Sequence, residues 1–295
     1  MTSTATQRDP QIAMGLDLGW KETTVTQEMV DRFADSVGDH NPWYSGPSPF
    51  GGPVVPALYF HSLPFQHQGW FLSNRHGTLF AKQEWEFFNP VMVGDTVRSH
   101  TIVVDRYVKR AREYVAAATH IFDDQYRLLA QARTHQSFVI DATGEVLSKE
   151  AAAAKAAQRR DADLSGYSGE IARVRKQVTP EMCLIFSGPN RNYHNDLVEA
   201  RKLGFPDIVV AGPYSICFLG EALTSAFGEG FLRGGRLSLN LVNVLWASEA
   251  VTTRGMIESR TPEGAGERVQ LSVWVEKEDG AKTIVGTASA LERAG

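Results

Sequence analysis

The feature that most constrains the fold of this chain is an internal repeat. Val25–Met29 reads Val-Thr-Gln-Glu-Met, and Val178–Met182 reads Val-Thr-Pro-Glu-Met, 153 residues later (178 − 25). Two more segments recur loosely at offsets of 155 and 154 residues, from Phe50 to Phe205 and from Asn89 to Asn243. A period this long exceeds the roughly 20–50 residues of solenoid repeats. The repeat therefore predicts a duplicated domain, in which one copy can diverge while the other keeps its chemistry.

Length and composition agree with two soluble domains. The chain has 295 residues, enough for about two domains of average size. Its 43% hydrophobic and 22% charged residues are typical of soluble globular proteins. The formal net charge of −4 provides no global field that would favour nucleic acid as a partner. No run approaches 18 apolar residues, and residues 1–11 lack the apolar region of a signal peptide, so we expect no membrane association.

The cysteine content indicates a reducing compartment. Cys183 and Cys217 are the only cysteines. Two cysteines in so long a chain do not make a disulfide framework, and their spacing matches no metal-binding motif. The sequence therefore predicts a cytoplasmic protein that needs neither a metal ion nor another cofactor.

The first half is predicted to contain a short helix, a buried helix and four long strands. The short helix begins after Thr26, a good N-cap residue, and ends near Ser36. The buried helix is predicted over Val54–Leu63, which is apolar nearly all round. Strands are predicted at Phe80–Phe88, Val97–Tyr107, Tyr114–Phe122 and Leu128–Ile140, which are rich in Val, Ile, Thr and aromatic residues. These segments imply long antiparallel strands around one buried helix.

Residues 146–172 are predicted to connect two domains, residues 12–145 and 173–295. The connection contains Ala151–Arg160, a strong helix former with little to bury. The second domain repeats the order of the first. A short helix follows Thr179, a loop follows Gly188, and a buried helix covers about 212–227. Strands are predicted near 235–246, 250–260, 267–277 and 282–292.

One loop in the first half carries a recognisable motif. Gly38-Asp39-His40-Asn41-Pro42-Trp43-Tyr44 resembles the Gly-Asp-x-Asn-Pro-x-His signature of the MaoC-like hydratases and dehydratases. Asn89-Pro90 and Gly94-Asp95-Thr96 are also similar to that family. The resemblance covers roughly residues 15–145 and 172–293. It implies an α+β fold of two tandem hotdog domains, each an antiparallel sheet wrapped around a central helix.

The resemblance also implies an activity and a set of functional residues. Members of the family add water to enoyl thioesters of CoA or acyl carrier protein, or remove it, and an aspartate and a histidine act together in that step. Asp39 matches the family aspartate, but Tyr44 stands at the position of its histidine. The second half supplies His194, followed by the acidic Asp196.

The second half departs from the motif in another way. Five positions before His194 stands Pro189 in place of the aspartate, and the loop is three residues shorter than in the first half. Asn190 or Asn192 is therefore a candidate to take the place of the aspartate. An asparagine can orient water or donate to an oxygen, but it does not titrate.

The family also has a His-Gly pair at the start of the central helix, whose glycine N–H polarises the thioester carbonyl. The second half keeps the glycine as Gly212 and lacks the histidine, whereas Val55-Pro56-Ala57 in the first half has neither. Proline also removes a backbone donor. The second half is therefore predicted to be the catalytic half and the first half a degenerate one.

His194 is the residue predicted to transfer protons. An imidazole with an ordinary pKa near 6.5 serves as acid or base close to neutrality. Tyr44, Tyr193 and Tyr214 are candidate substrate-binding residues that flank the loops and the second buried helix. The alternatives are a structural role for His194, a turn or cap role for Asp39 and packing roles for the tyrosines. His61 and His67, on or near the first buried helix, are predicted to be core or surface residues.

Three functions remain open at this point. The first is a hydratase or dehydratase acting on an enoyl or 3-hydroxyacyl thioester of CoA or acyl carrier protein. The second is a lyase, isomerase or cyclase of a specialised biosynthetic pathway, because the aspartate is missing. The third is a non-catalytic acyl-binding subunit, because neither half keeps the full motif. The two halves can pair within one chain, so both a monomer and a homodimer are compatible with the sequence.

Overall fold

The computed structural model describes residues 12–61, 79–109, 112–139 and 165–293. Within these residues, eleven strands form one sheet in which every neighbouring pair is antiparallel. The strands are β1 Asp17–Thr24, β2 Leu79–Phe87, β3 Thr96–Lys109, β4 Arg112–Phe122, β5 Leu128–Val139, β6 Gly169–Glu170, β7 Arg175–Gln177, β8 Arg236–Leu241, β9 Ala250–Glu263, β10 Gly266–Lys277 and β11 Lys282–Arg293.

Two of these strands join the two halves of the chain. The strand order is β1-β3-β4-β5-β2-β8-β11-β10-β9-β6, and β7 also pairs with β9. Strand β2 of the first half therefore lies beside β8 of the second half. Gln83 faces Leu239 and Trp85 faces Leu237 across this pair. Adding 154 to Gln83 gives Leu237, and adding 154 to Trp85 gives Leu239, so the same offset exchanges these two pairs. The two halves are therefore related by an approximate twofold axis at the junction.

The described helices are α1 Gln27–Val37, α2 Pro180–Ser187, α3 Leu197–Lys202, α4 Gly212–Phe227 and α5 Glu229–Gly234. Thr26 caps α1 and Thr179 caps α2, each through a hydroxyl that accepts from a backbone N–H three residues on. Pro180 occupies the first position of α2, where no intrahelical donor is needed. Helix α4 is buried almost all round and packs into a core shared by both halves.

The backbone repeats the same hydrogen bonds in each half. In the first half, the Val54 amide donates to the Trp43 carbonyl and the Val55 amide donates to the Val91 carbonyl. In the second half, the Val209 amide donates to the Tyr193 carbonyl and the Val210 amide donates to the Leu245 carbonyl. Tyr44 and His194 directly follow the two acceptors Trp43 and Tyr193. The two loops therefore place Tyr44 and His194 at equivalent positions.

Most of the predicted elements coincide with described ones. The four long strands of each half, the two short helices and the buried helix over 212–227 are present, with ends that differ by a few residues from prediction. Strand β8 ends at Leu241, five residues earlier than expected. Strands β1, β6 and β7 and helices α3 and α5 were not predicted. The two helices have six residues each, β6 has two and β7 has three, so these four elements carry little periodicity.

The predicted buried helix of the first half is only partly covered by the structure. Val54 forms an isolated bridge with Met92, and residues 59–61 form a 3₁₀ turn. Residues 62 and 63, His67 and most of the predicted connection lie outside the described residues. Of that connection, residues 165–172 are described, and they include β6, which pairs with β9.

Candidate active site

His194, in the loop between α2 and α3, is held by two hydrogen bonds. Its backbone N–H donates to Asn192 Oδ1 at 2.8 Å. Its ring Nδ1 lies 2.7 Å from the carbonyl oxygen of Val209, three residues before the start of α4. The Tyr193 ring lies against the imidazole, with 3.9 Å between ring centroids. The imidazole is therefore half-buried and fixed beside the segment that leads into α4.

These contacts determine the protonation state of His194. A carbonyl oxygen only accepts, so Nδ1 carries the proton in the bond to Val209. Burial lowers the pKa of His194 to about 4, although the bond to Val209 opposes this change. The ring is therefore neutral at pH 7, with a lone pair on Nε2. A neutral imidazole in this tautomer is able to accept a proton from water.

The loop asparagines mainly hold the loop in shape. The Asn192 amide donates to the carbonyls of Ser187 and Asn190, while its oxygen accepts from His194. The buried Asn195 also donates to the Asn190 carbonyl. Both polar groups of Asn192 are thus engaged within the loop, which favours a positioning role for this candidate. The other candidate, Asn190, is exposed.

Asp196, two residues after His194, has partners that give it a structural role. Its carboxylate accepts from the backbone N–H groups of Val198 and Glu199 and so caps α3. It also pairs with Arg191 at 2.7 Å. These bonds lower the pKa of Asp196, the cap bond from Glu199 most of all. Asp196 therefore orders the chain directly after His194.

Gly212 is the first residue of α4. No side chain caps this helix, and Pro213 has no backbone N–H. The Gly212 N–H lies ahead of the first intrahelical bond, at the positive end of the helix dipole. A Cβ atom at Gly212 would lie 2.6 Å from Leu241 Cδ2 and 3.1 Å from Phe80 Cβ. Close packing between the halves thus requires glycine here, and the same position offers a backbone donor.

Tyr214 follows within the first turn of α4. Its ring packs edge-on against Phe186, with centroids 4.9 Å apart, and against Phe218 at 5.1 Å. The side chain is buried, and its hydroxyl has no hydrogen-bond partner among the described residues. Burial raises the pKa of this phenol well above its ordinary value. Tyr214 therefore stays protonated and keeps a buried hydroxyl close to the start of α4.

The equivalent loop of the first half pairs Asp39 with Tyr44. The Tyr44 hydroxyl donates to Asp39 Oδ2 at 2.7 Å, and both side chains are buried. Burial raises the pKa of Asp39, while the bond from Tyr44 acts in the opposite direction. The pKa of Tyr44 is raised well above its ordinary value, chiefly by burial. A phenol with so high a pKa is a poor proton carrier at neutrality.

Two charged residues beside this pair were not recognised in the sequence. Lys176 on β7 donates to the Gly38 carbonyl, and its Nζ lies 2.6 Å from Glu221 Oε2 on α4. Burial is the main cause that raises the pKa of Glu221 to about 7, and Asp39 adds to the effect. The cluster of Asp39, Tyr44, Lys176 and Glu221 thus joins the first-half loop to the central helix of the second half. A single acidic residue within the apolar run of α4 was the available signal.

The site residues fall into two groups. His194 and Tyr193 are both hydrogen-bonded to Val209, three residues before the start of α4, and Gly212 and Tyr214 lie in the first turn of that helix. Asp39 and Tyr44 instead lie with Glu221, nine residues after Gly212. The first group combines a neutral imidazole, a backbone donor and an apolar surround. This combination is suited to proton transfer on a carbonyl compound. The second group is a buried, hydrogen-bonded contact between the halves.

A continuous antiparallel sheet, two repeated halves and a buried central helix define the double hotdog class. Solved structures agree: one described as a MaoC-like dehydratase has a TM-score of 0.76 at 14% identity, covering 97% of this chain and 99% of its own. A MaoC domain protein dehydratase, so described, from Chloroflexus aurantiacus has a TM-score of 0.70 at 13% identity, with 96% and 97% covered. A Mycobacterium tuberculosis protein described as a double hotdog fold has 0.64 at 13%, with 95% and 96% covered.

The sequence comparison matches part of the first half to a dehydratase family model. Residues 13–131 match the family described as the FAS1-like dehydratase domain region. No curated protein has a significantly similar sequence. The predicted resemblance to the MaoC-like hydratases and dehydratases is confirmed at the level of the fold. Within the part of the chain that the structure describes, no helix has both the length and the apolar character needed to span a membrane.

Proposed function

We propose that this protein is a hydratase or dehydratase of enoyl and 3-hydroxyacyl thioesters carried by CoA or acyl carrier protein. The observation that carries this proposal is the placement of His194, a neutral imidazole bonded to Val209 beside the start of α4. An enoyl thioester needs a base for the attacking water and a donor for the carbonyl oxygen. His194 and the Gly212 N–H supply these two functions.

In the hydration direction, His194 Nε2 takes a proton from water as the water oxygen bonds to C3 of the enoyl group. The electron pair of the C2–C3 double bond moves toward the thioester carbonyl, where the Gly212 N–H and the α4 dipole stabilise the enolate oxygen. The imidazolium then returns its proton to C2. One residue thus moves the proton in both steps, and no carboxylate partner is required. Dehydration is the reverse sequence.

The test is hydration of crotonyl-CoA and longer enoyl-CoAs by wild type and by His194→Ala. We expect the substitution to lower kcat by about 10²–10⁴-fold, because it removes the general base. His40→Ala is the matched control, since His40 is an exposed histidine in the equivalent loop of the first half. Near-full activity of His194→Ala, with a circular dichroism spectrum like that of wild type, would remove His194 from the mechanism.

The same assays separate the other two candidate functions. A lyase, isomerase or cyclase with an unusual conjugated substrate would leave simple enoyl-CoAs unchanged. A non-catalytic acyl-binding subunit would bind butyryl-CoA without turning over any thioester.

A further inference from the structure

His61 has a buried polar group that the fold does not explain. Its side chain is 1% exposed, and Trp85 Nε1 lies 3.0 Å from its Nδ1. An indole N–H only donates, so Nδ1 must accept and carry no proton. Burial lowers the pKa of His61 to about 3, so the ring is neutral and its proton is on Nε2. This Nε2–H has no hydrogen-bond partner among the described residues.

The second half shows that the fold does not need a polar residue here. The offset of 155 that relates Val54 to Val209 relates His61 to Ile216. The offset of 154 at the β2–β8 junction relates Trp85 to Leu239. Ile216 and Leu239 are fully buried. An apolar pair fills the same place in the duplicate, so packing alone does not account for the His61–Trp85 pair.

An unused buried donor is costly. Leaving a buried N–H without an acceptor costs about 1–3 kcal/mol, and native proteins do so rarely. The sequence alone predicts only a core or surface position for His61. The fixed tautomer and the apolar equivalents in the other half instead indicate that a ligand supplies the missing acceptor.

His61 and the start of α4 share a neighbouring side chain. The His61 ring packs edge-on against Phe80, with 5.7 Å between centroids. The same Phe80 side chain lies against Gly212, with its Cβ 3.1 Å from the Cβ position of that glycine. His61 and the first residue of α4 thus contact the same side chain from the two halves. Phe80 therefore links the residue that carries the unused donor to the start of α4.

We propose that His61 Nε2–H donates a hydrogen bond to a carbonyl oxygen of the bound acyl thioester. This inference rests on the proposed function and adds a substrate-binding residue to it. The first half then contributes a donor to the site, while the second half contributes His194 and Gly212. Trp85 is a positioning residue, because its N–H holds the imidazole in the tautomer that donates from Nε2.

Three substitutions of His61 separate the donor from the packing. His61→Asn keeps an acceptor near the Nδ1 position for Trp85 and places no donor at Nε2. His61→Gln carries an amide N–H that reaches the Nε2 position. His61→Ile reproduces the residue of the second half. We expect the Kd for butyryl-CoA and the KM for crotonyl-CoA to rise about 3- to 10-fold in His61→Asn and His61→Ile, from the loss of one hydrogen bond. His61→Gln should stay within about 2-fold of wild type.

A direct readout is the Nε2–H resonance of His61 in ¹⁵N-histidine-labelled protein, assigned by its loss in His61→Asn. Butyryl-CoA is the probe, because its saturated acyl chain cannot be hydrated. We expect its binding to move this proton resonance downfield, as an acceptor reaches the N–H. In His61→Ile, a thermal unfolding curve as cooperative as that of wild type shows that the fold is retained.

These experiments distinguish failure of the His61 assignment from failure of the proposed function. If butyryl-CoA binds to wild type and crotonyl-CoA is hydrated, but the resonance does not move and His61→Asn binds as well as wild type, the assignment of His61 is wrong and the proposed function stands. An N–H already bonded to an enclosed water molecule would give this result. If wild type neither binds butyryl-CoA nor hydrates crotonyl-CoA, the proposed function fails and the role of His61 fails with it.

Discussion

At the scale of single residues, the two halves differ most at one equivalent pair. Tyr44 and His194 follow the same backbone hydrogen bond, yet the phenol donates to Asp39 and the imidazole to a main-chain carbonyl. The identity of both residues and the missing aspartate were visible in the sequence. The bond from His194 to Val209 was not, because a side chain's choice of backbone acceptor depends on how the loop folds.

The protonation state of His194 predicts an unusual pH profile. Hydration needs the neutral imidazole, and its pKa is lowered from 6.5 to about 4. The kcat/KM for crotonyl-CoA should therefore be constant from neutrality down to about pH 5 and fall only as the pH approaches 4. Stopped-flow measurements in buffers of constant ionic strength test this. An acid limb centred near 6.5 would show that the free protein holds His194 in a solvated environment.

At the scale of secondary structure, the sequence predicts the central helix of the second half together with its bounds. The equivalent helix of the first half is predicted less well from the sequence pattern. The run from Gly212 to Phe227 begins with Gly-Pro and stays apolar, so its start and its burial were both readable. In the first half, Pro56 and Pro64 interrupt the apolar run, and the described part ends in a 3₁₀ turn. Pairing of the two halves within one chain was one of the predicted alternatives, but the particular strands, β2 and β8, and their register were not predicted, because registers between distant strands leave no local signal.

The start of α4 predicts a specific effect of Gly212→Ala. The added Cβ would come within 2.6 Å of Leu241 Cδ2 and 3.1 Å of Phe80 Cβ. Leu241 can rotate, but Phe80 Cβ is fixed by its strand, so we expect a loss of about 1–3 kcal/mol in the free energy of unfolding. A displaced helix start should also lower kcat for crotonyl-CoA more than it changes KM.

The matched control for that experiment is Gly52→Ala. Its Cβ would lie 3.7 Å from Met92 Cε, an ordinary contact, and we expect little change in urea unfolding or turnover. Equal effects of the two substitutions would mean that close packing at Gly212 is not what constrains the start of α4.

At the scale of the whole molecule, buried ionisable groups connect the halves and link stability to pH. Glu221 on α4 pairs with Lys176 and lies in the same cluster as Asp39 of the first half. Its pKa in the folded protein is raised from 4.5 to about 7, so the folded state binds this proton more tightly than the unfolded state does. The resulting stability is complete below pH 4.5 and is lost as the pH rises through 7. His61 and His194 act in the opposite sense, because their lowered pKa values cost stability as the pH falls below 6.5.

Glu221→Gln isolates the contribution of the carboxyl group. The amide keeps the size of the side chain and does not titrate, so the variant should gain stability relative to wild type as the pH rises from 5 to 8. After allowance for solvent screening we expect the difference to change by about 1–2 kcal/mol over that range. Urea unfolding at pH 5, 6, 7 and 8 measures it. A difference that is constant with pH would show that Glu221 titrates near its ordinary value.

The pairing of β2 with β8 has one more consequence, for how this protein could diverge. In a dimer of identical subunits, every substitution occurs in both sites at once, so an active-site histidine cannot be exchanged in one site and kept in the other. Covalent fusion removes that restriction, since each position of the pair is encoded separately. Such independence permits the differences seen between equivalent positions of the two halves. One half has Tyr44 where the other has His194. The first half also has His61 and Trp85 where the second has Ile216 and Leu239.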